Sequence, residues 1–309
     1  IFETNFRGML KLLMGDRRTS TAGRLFGEVE DSFGATLLEF ILCYQEKGFR
    51  RWLARRIDDP QVVDFVRELE GVSFGDIKIE NLAPYITSKF NRFVHDSRLR
   101  SIVGQSRTPF RFEEIMEQGK ILLVNLGKGR FGPTVSGLLA NQIVTRFKLA
   151  AMKRGDIPPV ERKPFFLYCD EAHNLPAENF MELLSEARKF RLGLILSTQF
   201  TAQLGDASRG RVNLLSAILG NVGCILTFRM GLEDAERLEA LVRPVFSPLD
   251  IAGLPNWHGY ARMHLSGGTT PPFSFRTEPD GKPFDGGLAT KVRELSRDKY
   301  GRDVKSVNE

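Results

Sequence analysis

The sequence predicts an α/β protein, a parallel sheet with helices on both faces, preceded by an all-helical region. Three observations carry this. From Ile1 to about Gly104, apolar residues recur at three- and four-residue spacing in "FRGMLKLLMG", "ATLLEFILCYQEKGFRRWLARRI" and "DPQVVDFVRELEG", the period of helices that bury one face. From Gly119 onward the rhythm changes to short continuous apolar runs: "KILLVNL", "PFFLYC", "LGLILSTQ" and "CILTFRM". Between those runs lie helical segments such as "GLLANQIVTRFKLAAMKR" and "NFMELLSEARKF", the alternation expected of a parallel sheet covered on both sides.

Individual elements follow from local chemistry. Asp59-Pro60 and Asn81 mark helix starts, because a short polar side chain satisfies free amides of a first turn. After Pro244 a turn-rich piece leads to two strands around "GYARMHL" and "FSFRT". The reading divides the chain into a helical accessory or insertion domain (1–112), an α/β core (113–280) and a charged helical tail (281–309).

Composition narrows the class. With 309 residues, 42% hydrophobic and 27% charged, the chain has enough apolar material for a real core and is not a disordered segment. It begins with Ile1 rather than Met and has no apolar run of the roughly 20 residues that span a bilayer, so it is expected to be a soluble piece of a longer protein. Cys43, Cys169 and Cys224 lie apart in apolar stretches, as expected of reduced core thiols in a cytoplasmic protein. The four histidines form no metal-ligand set, and a net charge of +6 favours an acidic partner, nucleic acid ahead of membrane.

The chemistry concentrates after "PFFLYC". In an open parallel sheet ligands gather beyond the C-terminal strand ends, and this strand delivers Asp170 and Glu171 to that edge. A nucleotide hydrolase needs such a pair: one carboxylate acts on Mg²⁺ through water, the other orients or deprotonates the attacking water. Acidic residues also suit strand ends as turn formers, so position alone leaves both readings open. The strand "LGLILSTQ" ends in Ser197, Thr198 and Gln199. If the two strands are neighbours, Gln199 reaches the same edge, where an amide can position water beside a γ-phosphate. The helix between them carries Arg188, Lys189 and Arg191, either a solvated basic face or a source of an arginine for an adjoining subunit.

A phosphate-binding loop of the form G-x-x-x-x-G-K-[ST] is absent. The nearest string, "GKGRFGPT" from Gly127 to Thr134, has Pro133 at the lysine position, which removes both the charge and an amide donor. It is a glycine-rich turn whose Lys128 and Arg130 could face a polyanion. Either the protein does not hydrolyse nucleotides or the loop lies before Ile1.

Taken in order, "PFFLYCDEAHNL", "LSEARKFRLGLILSTQ", "AILGNVGCILTFRMGLEDAERLEALV" and "FSPLDIAGLPNWHGYARMHLSG" resemble the C-terminal part of the HerA/FtsK superfamily of DNA-pumping ATPases. Among its branches they are most similar to the type IV secretion coupling-protein-like and conjugative-transfer ATPases. The front of the chain, with "RRWLARRIDDPQVVDFV", "APYITSKFNRFVHDSRLRSIVGQ" and "IMEQGKILLVNLGKGRFG", resembles that branch's helical insertion and re-entry strand. The resemblance implies a RecA-like P-loop ATPase core, a homo-hexameric ring, and use of ATP and Mg²⁺ to move DNA. It also implies a cytoplasmic location, at the inner face of a membrane where the parent chain carries an anchor, and secretion or nuclease proteins as further partners. Asp170 then matches the Walker B carboxylate acting through Mg²⁺, Glu171 the general base, Gln199 the sensor glutamine, and Arg188 the finger reaching a neighbouring site, with Arg191 close by. Asn221 and Arg229 fall where the family places polar residues near nucleotide or interface, although a helix cap accounts for Asn221 as well. DNA would be gripped through its phosphates by basic residues, with Lys128, Arg130, Arg50, Arg51, Arg55 and Arg56 as candidates.

The alternative function is a non-catalytic ring subunit or DNA-binding remnant. Reading "DEAH" as a helicase box predicts a second RecA-like domain, and none follows Val242. A zinc hydrolase is set aside because His173 has no HExxH or comparable spacing.

Overall fold

The computed structural model describes residues 2–15, 36–71, 79–105, 108–174, 177–204, 214–279, 281 and 283–304. Contacts divide the chain into two compact units, Ile1–Pro109 with Gly286–Glu309, and Phe110–Asp285.

In the first unit every regular element among the described residues is a helix: α1 (Phe2–Gly15), α2 (Leu37–Gln45), α3 (Lys47–Ala54), α4 (Pro60–Gly71), α5 (Ile79–Thr87), α6 (Asn91–His95) and α7 (Ser97–Val103). Residues 16–35 and 72–78, within the predicted helical domain, lie outside the described residues. Helix α2 starts with a capping box, in which the Thr36 side chain accepts from Leu38 N at 3.1 Å and Glu39 accepts from Thr36 N at 2.7 Å. Asp59 receives the Gln61 amide at 2.9 Å in front of α4, as the sequence predicts, whereas Asn81 lies inside α5 rather than at its start. Met9, Leu12, Phe40, Cys43, Tyr44, Leu53 and Ile86 form the core. Helices α1 and α4 approach closely because Gly8 has no side chain: a Cβ there would meet the Phe65 ring at 2.5 Å.

Arg50 changes role in this unit. It is 3% exposed and its Nη1 donates to the Cys43 and Tyr44 carbonyls at 2.9 and 3.2 Å, which closes the C-terminal end of α2. It is therefore a buried helix clasp and not a DNA contact. Arg51 pairs with Glu70 at 2.7 Å, and Arg56 lies over the Trp52 ring.

The second unit begins with α8 (Phe112–Glu117) and the long α9 (Lys128–Lys153), which is interrupted at Gly132 (φ 78°) before Pro133. The glycine-rich string thus opens a helix and is not a closed turn. Strands β1 (Phe165–Cys169) and β2 (Leu192–Leu196) pair in parallel, from Phe165↔Leu192 to Cys169↔Leu196, and α10 (Ala177–Glu186) connects them. After α11 (Leu214–Asn221), β3 (Cys224–Thr227) leads to three short helices, α12 (Leu232–Arg237), α13 (Glu239–Val242) and α14 (Pro248–Ala252). Strands β4 (His258–Leu265), β5 (Gly268–Thr269) and β6 (Phe273–Arg276) then complete an antiparallel sheet with β3. Helix α15 (Gly286–Tyr300), which groups with the first unit, has no buried residue.

Three expectations change here. "KILLVNL" forms no strand: Ile121 is 87% and Leu123 81% exposed, and only Leu122 of this run packs on the core. A β-strand needs a hydrogen-bonded neighbour, and among the described residues β1 has one only in β2. Strand β3 leaves the parallel pair and joins β4 antiparallel, so the unit is mixed α/β rather than one parallel sheet. Nor do the described residues cover both faces of the parallel pair. Phe165, Leu167, Cys169, Leu194 and Leu196 pack with Val144, Phe147, Leu183 and Ala187, while Phe166 and Tyr168 on the other face are 56% and 74% exposed. The Phe166 ring lies instead across the backbone of Gly193, where an added Cβ would meet it at 2.5 Å.

Candidate active site

The end of β1 shows how two strands deliver four polar side chains to one edge. The ladder continues one step beyond the strands: Ser197 N donates to Cys169 O at 3.0 Å, and Ala172 N donates to Ser197 O at 2.9 Å. Asp170 and Glu171 lie between those two bonds and are pushed outward as a bulge. Glu171 takes φ +52° to make this turn, the left-handed region that costs a residue with a Cβ about 1–2 kcal/mol. Strain at this residue coincides with the position predicted to carry the chemistry.

Within the bulge Asp170 Oδ1 accepts from Ser197 Oγ and from Glu171 N, the latter at 3.0 Å. Glu171 Oε1 accepts from Gln199 Nε2 at 2.5 Å. Its other oxygen, Oε2, lies 3.2 Å from the buried Nδ1 of His173, without the alignment of a hydrogen bond. Asp170 and Gln199 are exposed and Glu171 is half-buried, so the carboxylates are reachable from solvent. One residue earlier the environment reverses: burial pushes the Cys169 thiol up to about 11.

Gln199 is held from both sides. Upstream, Ser197 is tied to β1. Downstream, Thr201 opens a turn of 3₁₀ helix, and its amide donates to Asp234 Oδ1 at 3.1 Å while its hydroxyl donates to the same oxygen. Asp234, in the first turn of α12, is buried, so its carboxylate anchors the loop from within the unit. Sequence reasoning missed Ser197, His173 and Asp234 as parts of this site. Ser197 stood in the polar strand end already singled out; His173 and Asp234 left no signal, since each acts through a fold contact.

The remaining predicted site residues are placed elsewhere. Asn221 ends α11, with its Nδ2 donating to Ala217 O at 2.8 Å, a local helix-end contact. Arg229 follows β3 and donates to Asn256 Oδ1 at 3.1 Å. Neither side chain bonds to the acidic pair. Arg188 lies in the 3₁₀ turn just before β2, at the start of the strand pair, whereas Asp170 lies past its end; about 15 Å of strand separates the two edges. Arg188 therefore does not reach the acidic pair of its own chain. Of the cysteines, Cys43 is buried, while Cys224 is exposed, contrary to the expectation of a core thiol.

The donor set bears on metal choice. Among the described residues no group of three or more His, Cys, Asp or Glu side chains could hold an ion. One exposed carboxylate beside a hydroxyl fits Mg²⁺, which keeps several waters and is held by one or two carboxylates plus substrate phosphates.

No family model and no curated protein matches the sequence. Solved structures do. The fold is similar to that of the plasmid coupling protein TrwB in complex with ADP and Mg²⁺ (15% identity, TM-score 0.52, covering 92% of this chain and 70% of that one). It is similar to the same protein bound to the non-hydrolysable ATP analogue ADPNP (14% identity, TM-score 0.51, 92% and 70% covered). It is also similar to the bacterial conjugative coupling protein TrwBdeltaN70 in its unbound monoclinic form (15% identity, TM-score 0.50, 90% and 69% covered). At this identity the likeness is one of fold. No helix of the described residues is long and apolar enough to cross a membrane.

Proposed function

We propose that this chain supplies the acidic half of an ATP site in a DNA-translocating ring ATPase. The observation that carries the reading is the Glu171–Gln199 contact at the edge shared by β1 and β2, with Asp170 beside it on Ser197. The fold shared with TrwB, whose structures hold ADP with Mg²⁺ and ADPNP, supports it.

In this reading Asp170 and the Ser197 hydroxyl would hold a Mg²⁺ ion, which would supply positive charge to offset that of the nucleotide phosphates. Glu171 takes the proton of the attacking water through Oε1 or Oε2, and Gln199, now bonded to Oε1, keeps the carboxylate aimed and responds to the γ-phosphate. Arg188, unable to reach its own site, serves the site of an adjoining subunit. The phosphates are held by a G-x-x-x-x-G-K-[ST] loop from residues outside these 309, the helical unit is an accessory insertion, and the ring is a cytoplasmic homo-hexamer around DNA. Arg55, Lys128 and Arg130 are exposed and lie among the candidates for gripping its phosphates.

The test is ATP hydrolysis with and without DNA, on the 309 residues and on the chain extended through its upstream coding sequence. DNA-stimulated turnover only in the extended form is the expected outcome; none in either form, with nucleic-acid binding intact, would replace this reading by that of a non-catalytic ring subunit. One observation favours that second reading: both Glu171 oxygens already face protein groups, Gln199 and His173.

A further inference from the structure

The acidic edge has a counterpart at the other end of the strand pair. Helix α10 runs into a 3₁₀ turn, Ala187–Phe190, and Arg191 follows at φ +51°. A helix end leaves its last carbonyls without partners, and usually a glycine in the left-handed position plus water resolves this. Here each of four successive carbonyls accepts a hydrogen bond from within the unit. Arg188 O accepts from Arg191 N at 3.2 Å, and Arg191 O accepts from Phe165 N at 3.0 Å. Lys189 O accepts from Arg162 Nη1 at 2.5 Å, and Phe190 O accepts from Arg154 Nη1 at 3.0 Å.

Both arginines are buried, at 8% and 2% exposure, and each reaches further. Arg162 also donates to Ile157 O at 2.7 Å and to Gly155 O at 3.3 Å; Arg154 also donates to Lys163 O at 3.0 Å and to Glu117 Oε1 at 2.7 Å. Arg191 closes the set by donating from Nη1 to Arg162 O at 3.1 Å. Burying two guanidiniums is a costly way to end a helix, and Arg154 Nη2 is left buried with no acceptor among the described residues. A left-handed arginine adds strain that glycine would not. These choices yield a turn whose backbone is fixed from three directions. In it Lys189 pairs with Glu186 at 3.4 Å and Arg191 is used internally, so Arg188 is the exposed cation whose side chain bonds to no described residue.

We infer that Arg162 and Arg154 are positioning residues that hold the 187–190 turn rigid so that Arg188 meets a neighbouring subunit's nucleotide already aimed. This rests on the reading of Arg188 as an arginine supplied in trans. A side chain aligned before docking loses less freedom on engagement, and misplacement by about 1 Å can cost about 10²-fold in rate. Lysine at 162 keeps the charge but cannot reach three carbonyls with one ammonium.

Two experiments test the inference. In the 309-residue chain, a nitroxide on Arg188→Cys, with Cys224→Ser to remove the exposed native thiol, should be immobile, and should become mobile when Arg162→Lys is added. A label on Glu233→Cys should not change. Equal mobility at 188 with and without Arg162→Lys overturns the inference. In the active full-length protein, Arg162→Lys should lower turnover about 10²-fold. Mixing it with Glu171→Gln subunits should restore activity above the sum of the two, because the first keeps its own site and the second keeps its arginine. Arg188→Ala mixed with Glu171→Gln is the control. If that control fails to recover, the reading of Arg188 falls and the inference with it; if it recovers and the Arg162→Lys mixture does not, at unchanged melting temperature, the inference alone falls.

Discussion

The two edges of the β1–β2 pair are built from opposite materials. At the start of the strands, buried guanidiniums donate to backbone carbonyls, and Arg188 is an exposed cation whose side chain bonds to no described residue. At the end of the strands, Asp170 and Gln199 are exposed and Glu171 is half-buried, in a strained backbone conformation. The same two strands thus have one edge closed by hydrogen bonds and one left open to solvent. Carbonyls cannot be left unpaired inside a fold, whereas carboxylates at a solvent-facing edge need not be fully paired by protein groups. Each edge can be broken separately.

The largest effect is expected at the open edge. Glu171→Gln keeps the side-chain shape but removes the proposed base, so if the proposed function holds, turnover in the upstream-extended form should fall by about 10²–10⁴-fold with nucleotide binding retained. Single-turnover hydrolysis alongside nucleotide titration measures both, and retained turnover would remove Glu171 from the role of base.

An intermediate effect is expected where the open edge is tied to the interior. Asp234→Ala leaves the Thr201 amide and hydroxyl, both bonded to Oδ1, without their acceptor. Urea unfolding should report a loss of about 1–3 kcal/mol. Asp234→Asn, which keeps one acceptor oxygen, should recover part of it; unchanged stability in Asp234→Ala would show that the carboxylate does not anchor the loop.

The smallest effect is invisible at neutral pH. Burial pushes the thiols of Cys169 and Cys43 up, to about 11 and about 12, from an ordinary 9.0. A raised thiol means that the folded chain holds its proton more tightly than the unfolded chain. The stability linked to it is therefore complete below about pH 9, and it is lost as pH rises through the folded values near 11 and 12. Alkylation of the native protein at pH 8 should modify exposed Cys224 first and leave Cys169 and Cys43 intact until unfolding. Early modification of Cys169 would show that the edge opens at the strand and not one residue beyond it.

Much of the open edge was legible because it is written in consecutive residues. An apolar strand followed by Asp170-Glu171, and a second followed by Ser197-Thr198-Gln199, need only be parallel neighbours for the side chains to meet, and they are. The closed edge was not legible. Arg154 and Arg162 read as ordinary basic residues, and the carbonyls they bind lie up to 36 positions away. Arg50 was misread for the same reason: nothing in "GFRRWLARRI" separates a buried arginine from its exposed neighbours.

By itself, the sequence determined the helical and α/β rhythms, β1 and β2, the acidic pair and the absence of a phosphate-binding loop from these 309 residues, because each depends on local pattern or composition. Only the tertiary structure decided that "KILLVNL" stays unpaired, that β3 turns to an antiparallel partner, that Arg229 and Asn221 bond elsewhere, and that Arg188 stands at the far edge from its own carboxylates. Strand partners and buried hydrogen bonds are settled between residues distant along the chain, by which groups can pair once water is excluded.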